Sequence, residues 1–245
     1  LDPYREGFAV SAEPQASAQP IGTLNEGPLH AALKAWYARP GDAVEAPVDG
    51  YVVDLVRGDL LIEIQTAGFS AIKAKLSDLA ARHPLRLVYP IAREKWIVKL
   101  ADDLSTEVSR RKSPKRGFVE EIFAELVSFP HLLARPGFEV EVLFIQEEEV
   151  RRYEAGRAWR RRGWVTHERR LLDVVGRRLF ASPADVARLL PAELPQPFTT
   201  ADLAAALGKG RRLAQKMAYC LREMGAVHVV GKRGRAILYS RGNGW

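Results

Sequence analysis

Apolar positions along the chain alternate between a helical and a strand period, and each change of period marks an element. Leu29, Leu33 and Trp36 recur at helical spacing behind Pro28, which predicts a helix beginning near Asn25, capped by that residue and stopped at Pro40-Gly41. A period of two then predicts strands over Ala43 to Val48, Tyr51 to Val56 and Leu60 to Gln65. Tight turns at Asp49-Gly50 and Arg57-Gly-Asp59 join them into an antiparallel meander. Phe69, Ile72, Leu76 and Leu79 mark a second amphipathic helix, and Leu85 to Ile91 a buried strand reached by a crossover connection.

Beyond Arg93 the pattern is less regular. It predicts a short strand at Lys95 to Leu100, a basic loop over 109–116, a helix from Phe118 to Phe129 and a strand from Phe138 to Gln146. Residues 147–170 open with three glutamates, followed by Arg151, Arg152, Arg157, Arg160, Arg161 and Arg162, with Trp159 and Trp164 among them. Such a run suits either a solvated strand pair or phosphate contact with base stacking. The C-terminal stretch predicts helices at Ser182 to Leu190, Ala201 to Leu207 (capped by Thr200) and Arg211 to Met224, then a hairpin with the basic tip Gly-Lys-Arg-Gly-Arg235. The whole is an α/β chain of the α+β kind. Its expected parts are a flexible tail at 1–22, a core at 23–92, a mixed connecting module at 93–180 and a helical module at 181–245.

Charge sharpens this division. Residues 1–100 carry 11 Lys/Arg against 12 Asp/Glu, whereas residues 197–245 alone carry 9 against 2. A basic surplus confined to one end suggests a polyanionic partner, nucleic acid first. No run approaches the roughly 18 apolar residues of a membrane span, and no basic-then-apolar leader is seen, so a cytoplasmic location is expected. Cys220 is the one cysteine, which excludes an intramolecular disulfide framework and a zinc cluster of cysteines.

Two carboxylates stand where strand interiors should be apolar. Asp54 shares a strand face with Val52 and Val56, and Glu63 with Leu61 and Gln65, so two acids and an amide converge if the two faces coincide. A divalent cation can use that convergence, and a packed core cannot tolerate it unpaired. Glu26 precedes Leu29 and Leu33 on the stripe of the first helix. Asp49 is a lesser rival, because its Gly50 neighbour favours a turn, and Glu45 reads as solvated. The five histidines show no ligand spacing.

The order helix, three strands, helix, strand over 24–91, with Asp54 and then Glu63-Ile64-Gln65, resembles the PD-(D/E)xK, or restriction-endonuclease-like, nuclease superfamily. The resemblance implies Asp54 and Glu63 as Mg²⁺ ligands (Mn²⁺ as an alternative), the Ile64 carbonyl as a third, and Glu26 as an outer ligand. Gln65 stands at the family's lysine and carries no charge, so Lys73 or Lys75 from the next helix is implied as its substitute. The C-terminal helices and hairpin look like a winged-helix module. Its DNA contacts would come from Arg211, Arg212, Gln215, Lys216 and Tyr219 of the third helix and Lys232, Arg233 and Arg235 of the wing. The expected activity is Mg²⁺-dependent DNA endonuclease, with a homodimer or a protein partner wherever two strands are cut. The alternatives are a catalytically silent nuclease fold that binds DNA as a regulator or targeting subunit, an RNA-directed nuclease, and a protein-docking winged helix.

Overall fold

The structure is a computed structural model that describes residues 27–242. The expected tail, the Asn25 cap and Glu26 lie outside the described residues. Helix α1 (Pro28–Tyr37) starts with Gly27 at its N-cap and Pro28 in its first turn. It buries Leu29, Leu33 and Tyr37, one every four residues, while Trp36 is 47% exposed. The expected stripe is therefore corrected by one position: Tyr37, not Trp36, continues it.

Strands β1 (Ala43–Val48), β2 (Tyr51–Arg57) and β3 (Leu60–Ile64) form the antiparallel meander. Its first turn needs two left-handed residues, and Asp49 and Gly50 supply them with φ of 49° and 84°. A 3-10 turn at Phe69–Ile72 and helix α2 (Lys73–Leu79) carry the chain across, so that β4 (Leu85–Leu100) runs parallel to β3. Strand β5 (Glu107–Lys112) folds back antiparallel on the far half of β4. Helix α3 (Phe123–Leu126) lies between 3-10 turns at Val119–Ile122 and Pro130–Ala134. Strand β6 (Phe138–Tyr153) runs parallel to β4, and β7 (Trp164–Phe180) returns antiparallel to β6. The result is a mixed α/β structure on a seven-stranded mixed sheet, ordered β1-β2-β3-β4-β6-β7 with β5 on β4.

Three expectations change. Residues 109–112 are strand rather than loop. Arg110 and Lys112 lie over the Trp96 ring at 5.3 and 5.0 Å, and Arg110 pairs with Glu148 at 2.9 Å, so a charged run finds its partners across strands. The single helix expected over 118–129 is broken up, and Phe129, held extended in φ (−155°) ahead of Pro130, ends the helical path as a residue before proline tends to. The boundary expected at 92/93 falls inside β4, so residues 93–180 continue the same sheet.

Helix α1 covers one face of the sheet, over Leu55, Ile62, Ile64, Val88, Leu143 and Ile145. On the other face α2 and α3 pack with the C-terminal elements, which are α4 (Pro183–Ala187), α5 (Thr200–Leu207), α6 (Arg211–Glu223) and the hairpin of β8 (Val227–Arg233) and β9 (Ala236–Arg241). Ser182 caps α4 as expected; α5 is capped by Thr199 rather than Thr200, through a capping box with Asp202. Leu76, Phe129 and Phe138 share one core cluster with Met217, Cys220 and Leu221, so the C-terminal helices are packed onto the body of the protein. No helix among the described residues is long and apolar enough to cross a membrane.

Candidate active site

The regular β2–β3 ladder ends at the pair Leu55 and Ile62, and Asp54 and Glu63 are the next residue on each strand. At that step a side chain replaces the backbone: the Ile64 N–H donates to Asp54 Oδ2 at 2.8 Å. Strand β2 also turns over there. Val53 joins the core on the α2 side and Leu55 the core under α1, although residues two apart on a regular strand share a face. Asp54 thus sits in an opening between two strands, and the local irregularity is what brings its carboxylate into the sheet.

Helix α1 supplies the neighbours of Asp54. His30 Nε2 lies 2.8 Å from the Ile64 carbonyl oxygen and 3.3 Å from Asp54 Oδ2. One turn on, Lys34 Nζ lies 4.0 Å from Asp54 Oδ1 and donates to Glu45 at 2.6 Å. Burial pushes the Asp54 carboxyl up, but the His30 contact and the Ile64 N–H outweigh it and hold the group below its ordinary value.

Glu63 is in the opposite condition. From α2, Lys75 Nζ donates to Glu63 Oε1 at 2.5 Å and to the Val52 carbonyl at 2.6 Å. Glu63 Oε2 is sealed from solvent and has no hydrogen-bond partner. Burial, and then the charge of Asp54, push Glu63 up to about 7 in spite of Lys75.

These residues fit a divalent cation. An orphaned carboxylate oxygen beside a second, ionised carboxylate is a donor set of hard oxygens short of positive charge, and Mg²⁺ takes one or two protein carboxylates and keeps waters for the rest. Among the described residues no group of three or more His, Cys, Asp or Glu side chains forms a fuller cage. The Ile64 carbonyl already accepts from, or faces, the His30 ring, so its use as a third ligand requires that ring to move.

The other expected residues fall out as follows. Glu26 lies outside the described residues. The Gln65 amide donates to the Ala67 carbonyl at 2.5 Å within its own loop. Lys73 is exposed at the start of α2, and Lys75 is the lysine that reaches Glu63. Asp49 pairs with His83 at 2.8 Å and Arg82 at 3.2 Å at the hairpin turn, a surface role. On α6, Arg211, Arg212, Gln215 and Tyr219 are exposed, and so are Lys232, Arg233 and Arg235 of the β8–β9 hairpin, with Arg233 paired to Asp202 at 2.6 Å. Lys216 is a correction: its ammonium donates to the Ala124 carbonyl in α3 at 2.8 Å, so it ties α6 to the body of the protein. Sequence reasoning passed over His30 and Lys34, whose signal was their i, i+4 spacing; Arg222, on the polar side of α6 as its spacing predicts, lies over the exposed Tyr219 ring at 5.5 Å.

Residues 27–181 match the family described as "Domain of unknown function (DUF8091)". A protein of Treponema pallidum (strain Nichols) described only as uncharacterized is 31% identical over 223 residues, covering 90% of this chain and 87% of the relative. The chain belongs to this DUF8091 family, whose matched span contains the whole seven-stranded sheet. No solved structure matches.

Proposed function

We propose that the protein is a Mg²⁺-dependent nuclease of the PD-(D/E)xK type, acting on DNA. The observation that carries the reading is the nearness of Asp54 and Glu63 just past the end of the β2–β3 ladder, where the N–H of Ile64, next to Glu63, donates to Asp54 and Lys75 reaches Glu63 from α2. The order α1-β1-β2-β3-α2-β4, with β3 parallel to β4, supports the restriction-endonuclease-like assignment. Asp54 and Glu63 would hold the metal. When bound, Mg²⁺ would make water acidic enough to attack a phosphodiester and would balance charge on the transition state. Lys75 sets its ammonium against Glu63 Oε1, a role that the neutral Gln65 cannot fill. The exposed face of α6, with Arg211, Arg212, Gln215 and Tyr219, and the basic tip of the β8–β9 hairpin would bind the duplex as a winged helix does. DNA affinity is then expected to fall steeply with salt.

The test is cleavage of plasmid, single-stranded and branched DNA, and of RNA, with Mg²⁺, Mn²⁺ or EDTA. Glu63→Ala is expected to abolish metal-dependent cleavage while DNA affinity stays nearly intact; undiminished cleavage by that variant sinks the assignment. One observation favours a second reading, a catalytically silent DNA-binding regulator: His30 Nε2 already faces both Ile64 O and Asp54, at 2.8 and 3.3 Å. No cleavage of any of these substrates by the unmodified protein, together with salt-sensitive DNA binding, selects it.

A further inference from the structure

A cavity of about 500 Å³ opens beside Thr66 and Ala67, the two residues that follow Gln65, and runs along β4, β6 and β7. Its size is that of pockets which enclose a small organic ligand. Five cationic side chains line it: Lys95, Lys115, Arg151, Arg161 and Arg169. Three carboxylates answer them, Glu121, Glu147 and Glu149, which leaves a surplus of two positive charges.

The carboxylates of β6 hold most of these cations in place. Lys95 Nζ lies 2.9 Å from Glu147 Oε1 and 2.9 Å from Glu149 Oε2. Arg169 meets Glu147 Oε2 at 2.5 Å, and its Nη1 lies 3.5 Å from the Thr66 carbonyl, which joins the cavity to the loop after Gln65. Arg151 meets Glu149 at 2.6 Å. At the rim the pairing is looser: Arg161 is 3.6 Å from Glu149 and half exposed, and Lys115 is 3.2 Å from Glu121 and largely exposed. Tyr89, Pro90, Ile91 and Ile97 give the cavity an apolar side.

A surplus of two charges matches a phosphate monoester, which carries between about −1.5 and −2 near neutral pH. An internal phosphodiester carries one charge and would leave part of the surplus unanswered. Guanidinium and ammonium groups held by carboxylates cost little further ordering when they meet phosphate oxygens, and the apolar side suits a sugar and a base. We infer that this cavity binds the phosphorylated terminal nucleotide of a nucleic-acid strand, placing the phosphodiesters next to that end at Asp54 and Glu63. The placement half of this inference rests on the nuclease reading; the phosphate-end preference does not.

The experiment is fluorescence anisotropy of the full chain in EDTA, so that binding is read without cleavage. The probes are single-stranded oligonucleotides bearing a 5′-phosphate, a 3′-phosphate or hydroxyls at both ends, with adenosine 5′-monophosphate as competitor. One phosphorylated end is expected to bind roughly ten-fold tighter than the hydroxyl strand. Arg161→Ala with Lys115→Ala, both at the rim, should bring that ratio close to one with an unchanged melting temperature. Arg211→Ala with Arg212→Ala should weaken all strands alike and keep the ratio. Equal binding of phosphorylated and hydroxyl strands by the unmodified protein overturns the inference, as does a preference that survives in the rim variant. Adenosine monophosphate that binds as tightly as the strand overturns the strand-end assignment. Equal binding alongside intact Mg²⁺-dependent cleavage removes the cavity alone; a ten-fold preference without cleavage removes the nuclease alone.

Discussion

Two pairs of acids are set into the same sheet, and they differ in how their charge is answered. At the hairpin, Glu63 has one cation, Lys75, and one oxygen with no partner, and its carboxyl is pushed up to about 7. On β6, Glu149 is also buried, yet Lys95 and Arg151 outweigh its burial and hold it down at about 2. Glu147 beside it has Lys95 2.9 Å from Oε1, misaligned for a hydrogen bond, and Arg169 on Oε2. The contrast separates two uses of a buried carboxylate. One left short of positive charge would suit the metal ion of the proposed function, whereas one supplied with it serves to position the cations themselves.

The sharpest test of that contrast is Glu63→Gln, which keeps the shape and removes the charge. Metal-dependent cleavage is expected to drop by on the order of a thousand-fold, as when a transition-state charge stabiliser is lost. Stability should move the other way. Because the folded carboxyl titrates near 7 and the ordinary value is 4.5, the proton it binds favours folding fully below about 4.5, and that advantage is lost as pH rises through 7. Urea midpoints should therefore show the amide variant more stable than the parent at alkaline pH and little different in acid. A variant destabilised at alkaline pH would mean that Glu63 is already fully compensated, and the contrast would be broken.

Lys95→Met probes the other pair. It strips the shared cation from two carboxylates that are almost wholly buried, and breaking a buried pair from one side costs roughly 3 kcal/mol or more. Thermal or urea unfolding reads that loss directly. An effect well below 1 kcal/mol would mean that Arg151 and Arg169 suffice alone.

Acid unfolding gives a smaller and opposite signature for Glu149. Its folded carboxyl lies at about 2 against an ordinary 4.5, so the stability it adds is present above about 4.5 and is lost as pH falls toward 2. Glu149→Gln should flatten that acid limb while leaving the alkaline side to Glu63. A limb unchanged in the amide variant would assign the acid dependence to other carboxylates.

Most of the hairpin was legible from sequence because its signals are local. Alternation, the Asp49-Gly50 turn and two acids inside strands fix the pairing within about fifteen residues, and α2 and β4 follow by crossover. Glu147 and Glu149 were not legible as buried groups: they read as part of a solvated charged run because Lys95 lies some fifty residues away and meets them only through the parallel pairing of β4 with β6. The same holds for β5, whose charges are matched by Trp96 and Glu148 on other strands. Lys216 looked like a surface contact for DNA because helical period alone cannot show that α3 ends against it.

The smallest expected effect concerns which lysine of α2 serves the site. Lys73 and Lys75 flank the apolar stripe of the helix and were equivalent by spacing. A step of two residues on a helix turns a side chain by about 200°, so one lysine can point into the site only if the other points away. Lys75 is the inward one, with its ammonium on Glu63 and the Val52 carbonyl, and Lys73 is exposed. Lys73→Ala is accordingly expected to change cleavage by no more than about two-fold, the range of a surface substitution. Lys75→Ala, measured beside it, should lose far more, since it leaves Glu63 without its cation. Equal losses from the two variants would move the effect from the site to the charge of the whole helix, and Lys75 would lose its special standing against Glu63.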